Sequence, residues 1–445
     1  MDSGLYERFL SMHWDQMDNM EAHNTCVFIY WHRQFLVGFE NMLRSLAPAY
    51  ACVTIPYYDY VNDNTKYMTN ACSTLDTCSD ILRELGSVAS GAQKTLTFGG
   101  HSISGRCDAT FPLNHFNQYE QGVGAQCVPR GAYTTSYFPA AVGFTGIKDS
   151  ILGNKDVSTV NSDIEDGPHN YMHNTLGGAM QNPFLSPADP IFYSHHAMVD
   201  ALNAIYYKCR VAPLGFTDAQ KQSNSLSFQG CTVNGAPINA ASSILMRAVV
   251  GGQRIDVHQE ATTKAFFAGV PTQYYKLTDN TDLGDNSYSY EFSGLIADLY
   301  TNCGSAGLST ASNLRALKQS DAPNTPRDAR GRLQNYVKCD SKAHVKKYEG
   351  WRRALTKLAK AQGLSAAETE TEIYKIVVSY YNNCLPGGIQ DLSPDFKALW
   401  RITHEPKQVM IRDKLLDGSD PIKLVGWEDV NADRLGCRGD SKTHY

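Results

Sequence analysis

Thirteen histidines occur in the chain, and two groups of them have the spacing of metal ligands. His169 and His173 are four residues apart where the sequence carries helical signals. That spacing puts both rings on one helix face, able to share one ion. A third donor can come from the next predicted helix, where His195 and His196 are adjacent. The earlier group is His13, His23 and His32, around two predicted helices. Three imidazoles per metal suit copper, zinc or iron, and two such sets with no cysteine or carboxylate at ligand spacing favour copper. Spacing alone is a weak signal. An HxxxH pair is more often two surface or core histidines, and of His195 and His196 one can be a core residue and the other exposed. A zinc hydrolase is disfavoured, because there is no HExxH and there are too many histidines.

The elements that must position these residues are mostly helical. Leu5, Phe9 and Met12 recur at helical spacing, as do Phe28, Trp31, Phe35, Phe39 and Met42, so the first 45 residues read as helix. Cys52–Tyr60 reads as a short strand or extended segment. Residues 61–160 are rich in Gly, Ser, Thr and Asn and read as long loops with short elements. Pro168 and Gly177-Gly178 suit the two ends of a helix. Asp189-Pro190 reads as an N-cap and first position of a helix to about Tyr207. A strand is possible at Ser287–Phe292. Beyond residue 300, Val345, Tyr348, Trp351, Leu355 and Leu358 form an amphipathic stripe ended by Gly363. Ser365 and Glu368 make a capping box for a second helix. No internal repeat is apparent.

Bulk properties bound the function. The chain has 445 residues, a formal charge of −5 and 42% hydrophobic residues, which describes a globular protein. There is no Lys/Arg block, which argues against nucleic acid as a partner. No apolar run approaches the roughly 18 residues that span a membrane, so solubility is expected. The twelve cysteines are spread out with no CxxC pair, which favours disulfides in an oxidising compartment over zinc. Pairing cannot be read from sequence; Cys72/Cys78, Cys107/Cys127 and Cys209/Cys231 are the close neighbours. Residues 1–20 have no signal-peptide pattern, and there is no Asn-x-Ser/Thr sequon.

The local sequences sharpen the metal reading. His23–Glu40 reads HNTCVFIYWHRQFLVGFE. It resembles the copper-A motif of the tyrosinase and hemocyanin family. Asp189–Asp200 reads DPIFYSHHAMVD and resembles the copper-B motif, with HNYMH at 169–173 at the expected distance before it. PYYDY at 56–60 and Tyr288-Ser-Tyr290 resemble two further family elements. The resemblance covers about residues 1–295, and residues 296–445 form a C-terminal extension.

This resemblance implies a mainly α fold: a four-helix bundle holding two copper ions, long disulfide-pinned loops and a partly helical extension. By position, one copper takes His13, His23 and His32, and the other takes His169, His173 and His196. Motif register selects His196 over His195. His13 rests on order alone, since its flanks are not diagnostic. Asp200 is placed to orient a ligand imidazole, Phe192 to pack beneath the coppers, and Arg33 and Glu40 to form structural ion pairs. Phe184 is either an entrance gate or a core residue. Glu21 stands where some relatives have a cysteine bonded to the second histidine, so no such crosslink is expected.

The implied reaction uses dioxygen to hydroxylate monophenols and oxidise o-diphenols to o-quinones. Glu165 and Asn170 match the pair thought to hold a proton-accepting water in tyrosinase-like members. The rival readings are a catechol oxidase without monophenolase activity and a hemocyanin-like oxygen carrier. The extension reads either as a shield over the site or as a permanent structural addition, with the second favoured. A secreted protein is expected, of oligomeric state that sequence does not specify.

Overall fold

The computed structural model describes residues 1–86, 91–117, 126–153, 155–304, 336–338 and 342–439. Asp15 divides the first helical run. It follows α1 (Leu5–Trp14), and its carboxylate accepts the Met17 and Asp18 N–H groups at 3.2 Å, which N-caps α2 (Gln16–Ala22). Next, α3 (Phe28–Ser45) buries Phe28, Trp31, Phe35 and Phe39 at helical spacing. Full burial of each such ring stabilises the fold by about 1.5–3 kcal/mol. Gly38 of α3 lies under Phe267, where a Cβ would meet the ring at 2.3 Å, so no larger residue fits without displacing that ring.

After an extended segment come α4 (Tyr60–Met68), a three-stranded antiparallel sheet and α5 (Phe144–Ile151). The sheet runs in the order β1 (Gln93–Phe98), β2 (His101–Asp108), β3 (Val128–Arg130). Arg130 ends β3 and donates to both carboxylate oxygens of Asp189 at 2.7 Å. Both residues are buried, a setting that tolerates charge only when it is paired. The pair fixes the start of the central helix. That region contains α6 (Asn170–Leu176), which ends at Gly177 with φ +63°, and α7 (Ile191–Tyr206), buried along its whole length.

A second buried ion pair joins α3 to α7. Arg33 Nε donates to Asp200 Oδ1 at 2.6 Å, and Tyr288 and Tyr290 donate to Oδ2 at 2.5 Å. Asp200 is therefore shared by an arginine and two tyrosines. No imidazole N–H reaches it, and His196 Nδ1 has no partner among the described residues. This corrects the expected orienting role of Asp200. The reason is the Tyr-x-Tyr element, which folds back onto α7 from far along the chain.

Five disulfides occur among the described residues. Cys72–Cys78 and Cys107–Cys127 join close neighbours. Cys209 and Cys231 do not pair with each other: Cys26–Cys231 ties the start of α3 to a distant strand, and Cys209–Cys303 ties the end of the α7 region to the helix Gly294–Asn302. Cys384–Cys437 is the fifth bond. Cys52 is exposed and unpaired among the described residues, and Cys339 lies outside them. The expected strand near 287–292 is shorter and later, Glu291–Ser293, and pairs in parallel with Tyr336–Lys338.

The extension packs onto this frame. Its helices α8 (Ala343–Ala361) and α9 (Ala366–Cys384) bury Trp351, Leu355, Ile373, Ile376 and Tyr380 in the main core. The Asn64 amide donates to Tyr381 Oη at 2.6 Å, and Tyr348 Oη lies 3.2 Å from Thr145 Oγ1. Ser365 and Glu368 form the capping box of α9. A short helix, α10 (Pro394–Leu399), follows. No described helix is long and apolar enough to cross a membrane.

Candidate metal centre

The helices bring two histidine clusters together in the interior. His13 is on α1, His23 caps α2 and His32 is on α3; their donor nitrogens lie within 4.8 Å of one another. His169, His173, His195 and His196 form the second cluster to the same limit. All seven side chains are buried. A π turn, Glu165–His169, with non-helical backbone at Gly167, delivers His169 just ahead of α6. Such turns are frequent at functional sites.

One orientation recurs around the rings. Nδ1 of His13 faces Phe184 O at 3.4 Å, His23 faces Asn19 O at 3.3 Å and His32 faces Phe28 O at 2.9 Å. His169 Nδ1 meets Asn170 Oδ1 at 2.9 Å, and His173 Nδ1 meets Met180 O at 2.6 Å. Each oxygen requires an N–H at Nδ1, which leaves the Nε2 lone pair free. Nε2 of His13, His23, His32 and His169 has no hydrogen-bond partner among the described residues. Nε2 of His173 and of His196 approach to 3.4 Å. Donors in a tetrahedral shell at about 2 Å from an ion are separated by roughly 3.3 Å. Buried, unpartnered and convergent lone pairs fit a pair of metal ions; they fit no apolar packing role.

Burial is also the largest influence on the protonation of these rings, followed for most by neighbouring imidazoles. It lowers the pKa of all seven, to about 3 for His32 and His173. The fold thus holds the neutral, ligating form. Below the ordinary value of 6.5 the unfolded chain takes up protons that the folded chain refuses. These rings therefore contribute stability to the metal-free protein above about pH 6.5 that is lost towards pH 3, against the opposite contribution of buried carboxyls such as Asp18 and Asp59, which burial raises to about 8 and about 7. Thermal melts of wild type and His173→Leu across that range check this: the variant should lose less on acidification, and equal losses would contradict it.

Aromatic rings wall the centre. Phe192 packs against His196 at 4.2 Å and His13 at 5.0 Å, and Phe28 lies 4.7 Å from His169. His32 stacks on His196 at 4.1 Å, across the two clusters. Phe184 is half-buried and its ring stacks on His101 at 3.8 Å, while its carbonyl faces His13. Glu40 pairs with Arg44 and accepts from Ile55 N–H, so it is structural. Cys26 is taken up by its disulfide, and Glu21 accepts from Tyr274 and Leu245.

Glu165 is buried, and burial raises its pKa well above the usual carboxylate range. Its Oε1 accepts from Asn24 N–H at 2.7 Å. Asn170 is one residue after His169, and its amide reaches Asp166 at 3.4 Å.

One residue at the centre has no counterpart in the sequence reading. Trp400, just after α10, is buried with its ring 4.6 Å from His173, 5.2 Å from His23 and 5.5 Å from His169. It touches both clusters. Its indole N–H donates to Gln181 O at 2.8 Å, and its carbonyl accepts from Asn24 Nδ2 at 3.1 Å. The segment DFKALW carries no signal of this placement.

Residues 3–208 match the common central domain of tyrosinase. This part of the chain is similar to the central domain of the tyrosinase family. The match spans all seven clustered histidines. Among curated relatives, Tyrosinase HcTyr1 of Hahella sp. is 28% identical over 41% of this chain and 37% of its own length. The tyrosinase of Streptomyces antibioticus is 27% identical over 45% of this chain and 71% of its own. Tyrosinase-like protein 2 of Margaritifera margaritifera is 29% identical over 40% of this chain and 38% of its own. The chain therefore spans little more than a third of the first and third of these relatives. Tyrosinase-family domains are dicopper, and the two histidine clusters have the donors for that pair.

Proposed function

We propose that this protein is a type-3 dicopper oxidase that ortho-hydroxylates monophenols and oxidises o-diphenols to o-quinones with dioxygen. One copper would be held by His13, His23 and His32, and the other by His169, His173 and His196. The observation that carries the reading is the pair of buried clusters whose Nε2 lone pairs converge. A copper pair bound there supplies two-electron exchange with dioxygen.

The chain's own residues do the rest. The carbonyls of Phe184, Asn19, Phe28 and Met180 fix tautomer and ring orientation, so the donors are in place before metal arrives. Phe28, Phe192 and Trp400 keep water from the imidazoles. A phenol is mostly neutral at pH 7, with a pKa near 10, so hydroxylation needs a proton acceptor. We assign that task to Glu165, whose buried carboxyl sits on the π turn that delivers His169. Asn170, whose Oδ1 meets His169 Nδ1 at 2.9 Å, would hold the proton-accepting water together with Glu165.

A second reading, a catechol oxidase without monophenolase activity, is favoured by one feature. Both ends of the Asn170 amide are already engaged, by His169 and Asp166. Metal analysis followed by paired assays on a para-alkyl phenol and the matching catechol separates these readings. Two coppers per chain and turnover of both substrates are expected. Turnover of catechol alone selects the second reading, and reversible dioxygen binding without turnover indicates a carrier. Asn170→Gly is expected to lower the phenol rate about tenfold more than the catechol rate, less than the roughly 100-fold or more that loss of a general base itself costs, because Asn170 only positions the acceptor. Equal losses would exclude the assigned role. The disulfides are compatible with an oxidising compartment, and we place the protein outside the reducing cytosol.

A further inference from the structure

A cavity of about 480 Å³ lies between α3, α7, the extended segment before α4 and the segment around Tyr288 and Tyr290. Small-molecule sites typically enclose roughly 300–1,000 Å³. Leu36 and Val37 of α3 and Ala197 of α7 form an apolar base, and all three are buried. None of the seven clustered histidines lines the cavity. Ala197 follows His196 directly, and neighbours on a helix point about 100° apart. The cavity therefore meets a different face of α7 from the metal centre.

Three tyrosines wall it. Tyr290 stands edge-on to Tyr57 at 6.0 Å and 79°, and to Tyr288 at 5.7 Å and 85°. Their hydroxyls are engaged: Tyr57 donates to Glu291 O at 3.2 Å, and Tyr288 and Tyr290 donate to Asp200 at 2.5 Å. What the three rings offer a guest is aromatic surface, in an edge-to-face pattern that a further ring extends. The polar side is the ion pair of Glu40 and Arg44. Glu40 accepts from Arg44 at 2.5 Å and from Ile55 N–H at 2.9 Å, and its side chain is 19% exposed. A carboxylate has about four lone-pair sites and a guanidinium about five N–H donors, so both can serve a guest as well. A phenolic hydroxyl donates and accepts, which matches that pair. A charged guest would have to compete with the pair, whereas a neutral hydroxyl joins it.

We propose that this cavity is a second phenol site, separate from the histidine centre, which holds the ring of a mono- or dihydric phenol against Tyr57 and Tyr290 with its hydroxyl on Glu40. The choice of guest rests on the phenol-oxidising reading and extends it. Phenols of the class turned over at the histidines are also held, unreacted, where no histidine reaches.

The test is equilibrium dialysis of the copper-loaded chain against 4-fluorophenol under argon, with no dioxygen for turnover. Wild type is expected to bind one equivalent at this cavity with a Kd of about 1 mM or below, the range open to so small a guest. Ser289 lines the cavity. Ser289→Trp should weaken that equivalent by about tenfold or more, because the new ring clashes with the guest, and should keep catechol turnover. Tyr57→Leu should weaken it by about threefold to tenfold, the effect of one lost edge-to-face contact, and Tyr57→Phe, which keeps the ring, should leave it intact. His32→Ala should retain it, while any equivalent held at the histidine centre is lost. Melting curves report folding, and the two Tyr57 variants decide the matter if Ser289→Trp melts early. Binding unchanged in both Ser289→Trp and Tyr57→Leu overturns the proposal. So does loss of all binding in His32→Ala, or displacement of the guest as readily by cyclohexanol as by phenol. Cavity-dependent binding in a chain that oxidises neither phenol nor catechol would remove the oxidase reading and leave this site standing.

Discussion

His32→Ala is expected to hold one copper where wild type holds two, and to oxidise catechol more than about 100-fold more slowly. His32 is buried, and its Nδ1 is held by Phe28 O at 2.9 Å, which leaves Nε2 among the donors of the first cluster. Loss of an outer partner of a metal ligand already costs about 10–100-fold in affinity or activity, so loss of the ligand itself should exceed that range. The ring also stacks on His196 at 4.1 Å, so its removal disturbs the second cluster as well. Metal analysis and the catechol assay, run together, check both halves of the prediction. His115→Ala is the control, since that half-exposed ring contacts Asp2 and Phe111 at the surface, away from both clusters. A His32→Ala protein with two coppers and the wild-type rate would remove His32 from the ligand set.

The parts of this centre legible in sequence are those that local periodicity controls. The large apolar residues of α3 and α7 recur at helical spacing, and that spacing turns His32 and His196 inward together with Phe28, Phe35 and Phe192. His169 and His173 read as two rings on one helix, and their centroids do lie 4.4 Å apart. The route is different, however. His169 sits in a π turn kinked at Gly167, and α6 begins only at Asn170. A slip of that kind depends on how the turn packs, and side-chain periodicity does not encode it.

Features made by backbone atoms or by distant segments stay hidden. The carbonyls of Met180 and Phe184 orient one histidine in each cluster, yet any residue supplies a carbonyl. Asn182 accepts the Phe184 and Leu185 N–H groups and donates to Ser102 O, which ties that loop to β2. Nothing in its spacing announces this. Disulfides follow the same division. Cys72–Cys78 closes over six residues, whereas Cys26–Cys231 closes over 205 and exists only because the fold brings α3 beside a later strand. Asp200 shows the competition most clearly. Its place one turn after His196 suggests service to a ligand, but a buried arginine is the stronger claim on a carboxylate.

In the extension, helices α8 and α9 share the main core. Trp400 belongs instead to a separate small cluster with Ala141, Tyr171, Leu392, Phe396 and Ile402. Surface ion pairs, His404 to Asp166 and Lys407 to Asp149, hold the chain that follows. Pairs of this kind contribute only about 0–1 kcal/mol each. Trp400 itself is held by that small cluster and by hydrogen bonds to Gln181 and Asn24, whereas the helices before it are held by the main core. Deletion of the whole extension would confound the two, and a point variant separates them. Trp400→Ala is expected to raise kcat/KM for both phenol and catechol by about tenfold to a hundredfold. If the ring must leave before a flat substrate can reach the imidazoles, removing about 1.5–3 kcal/mol of buried contact raises the open population by that factor. Trp400→Phe, which keeps a ring, should fall between. The gain should be similar for both substrates, because the block is access rather than proton transfer. Stability measured alongside will drop, since truncating a buried Trp costs roughly 3–5 kcal/mol. Loss of activity in both variants, with copper retained, would show that Trp400 supports the centre instead of closing it.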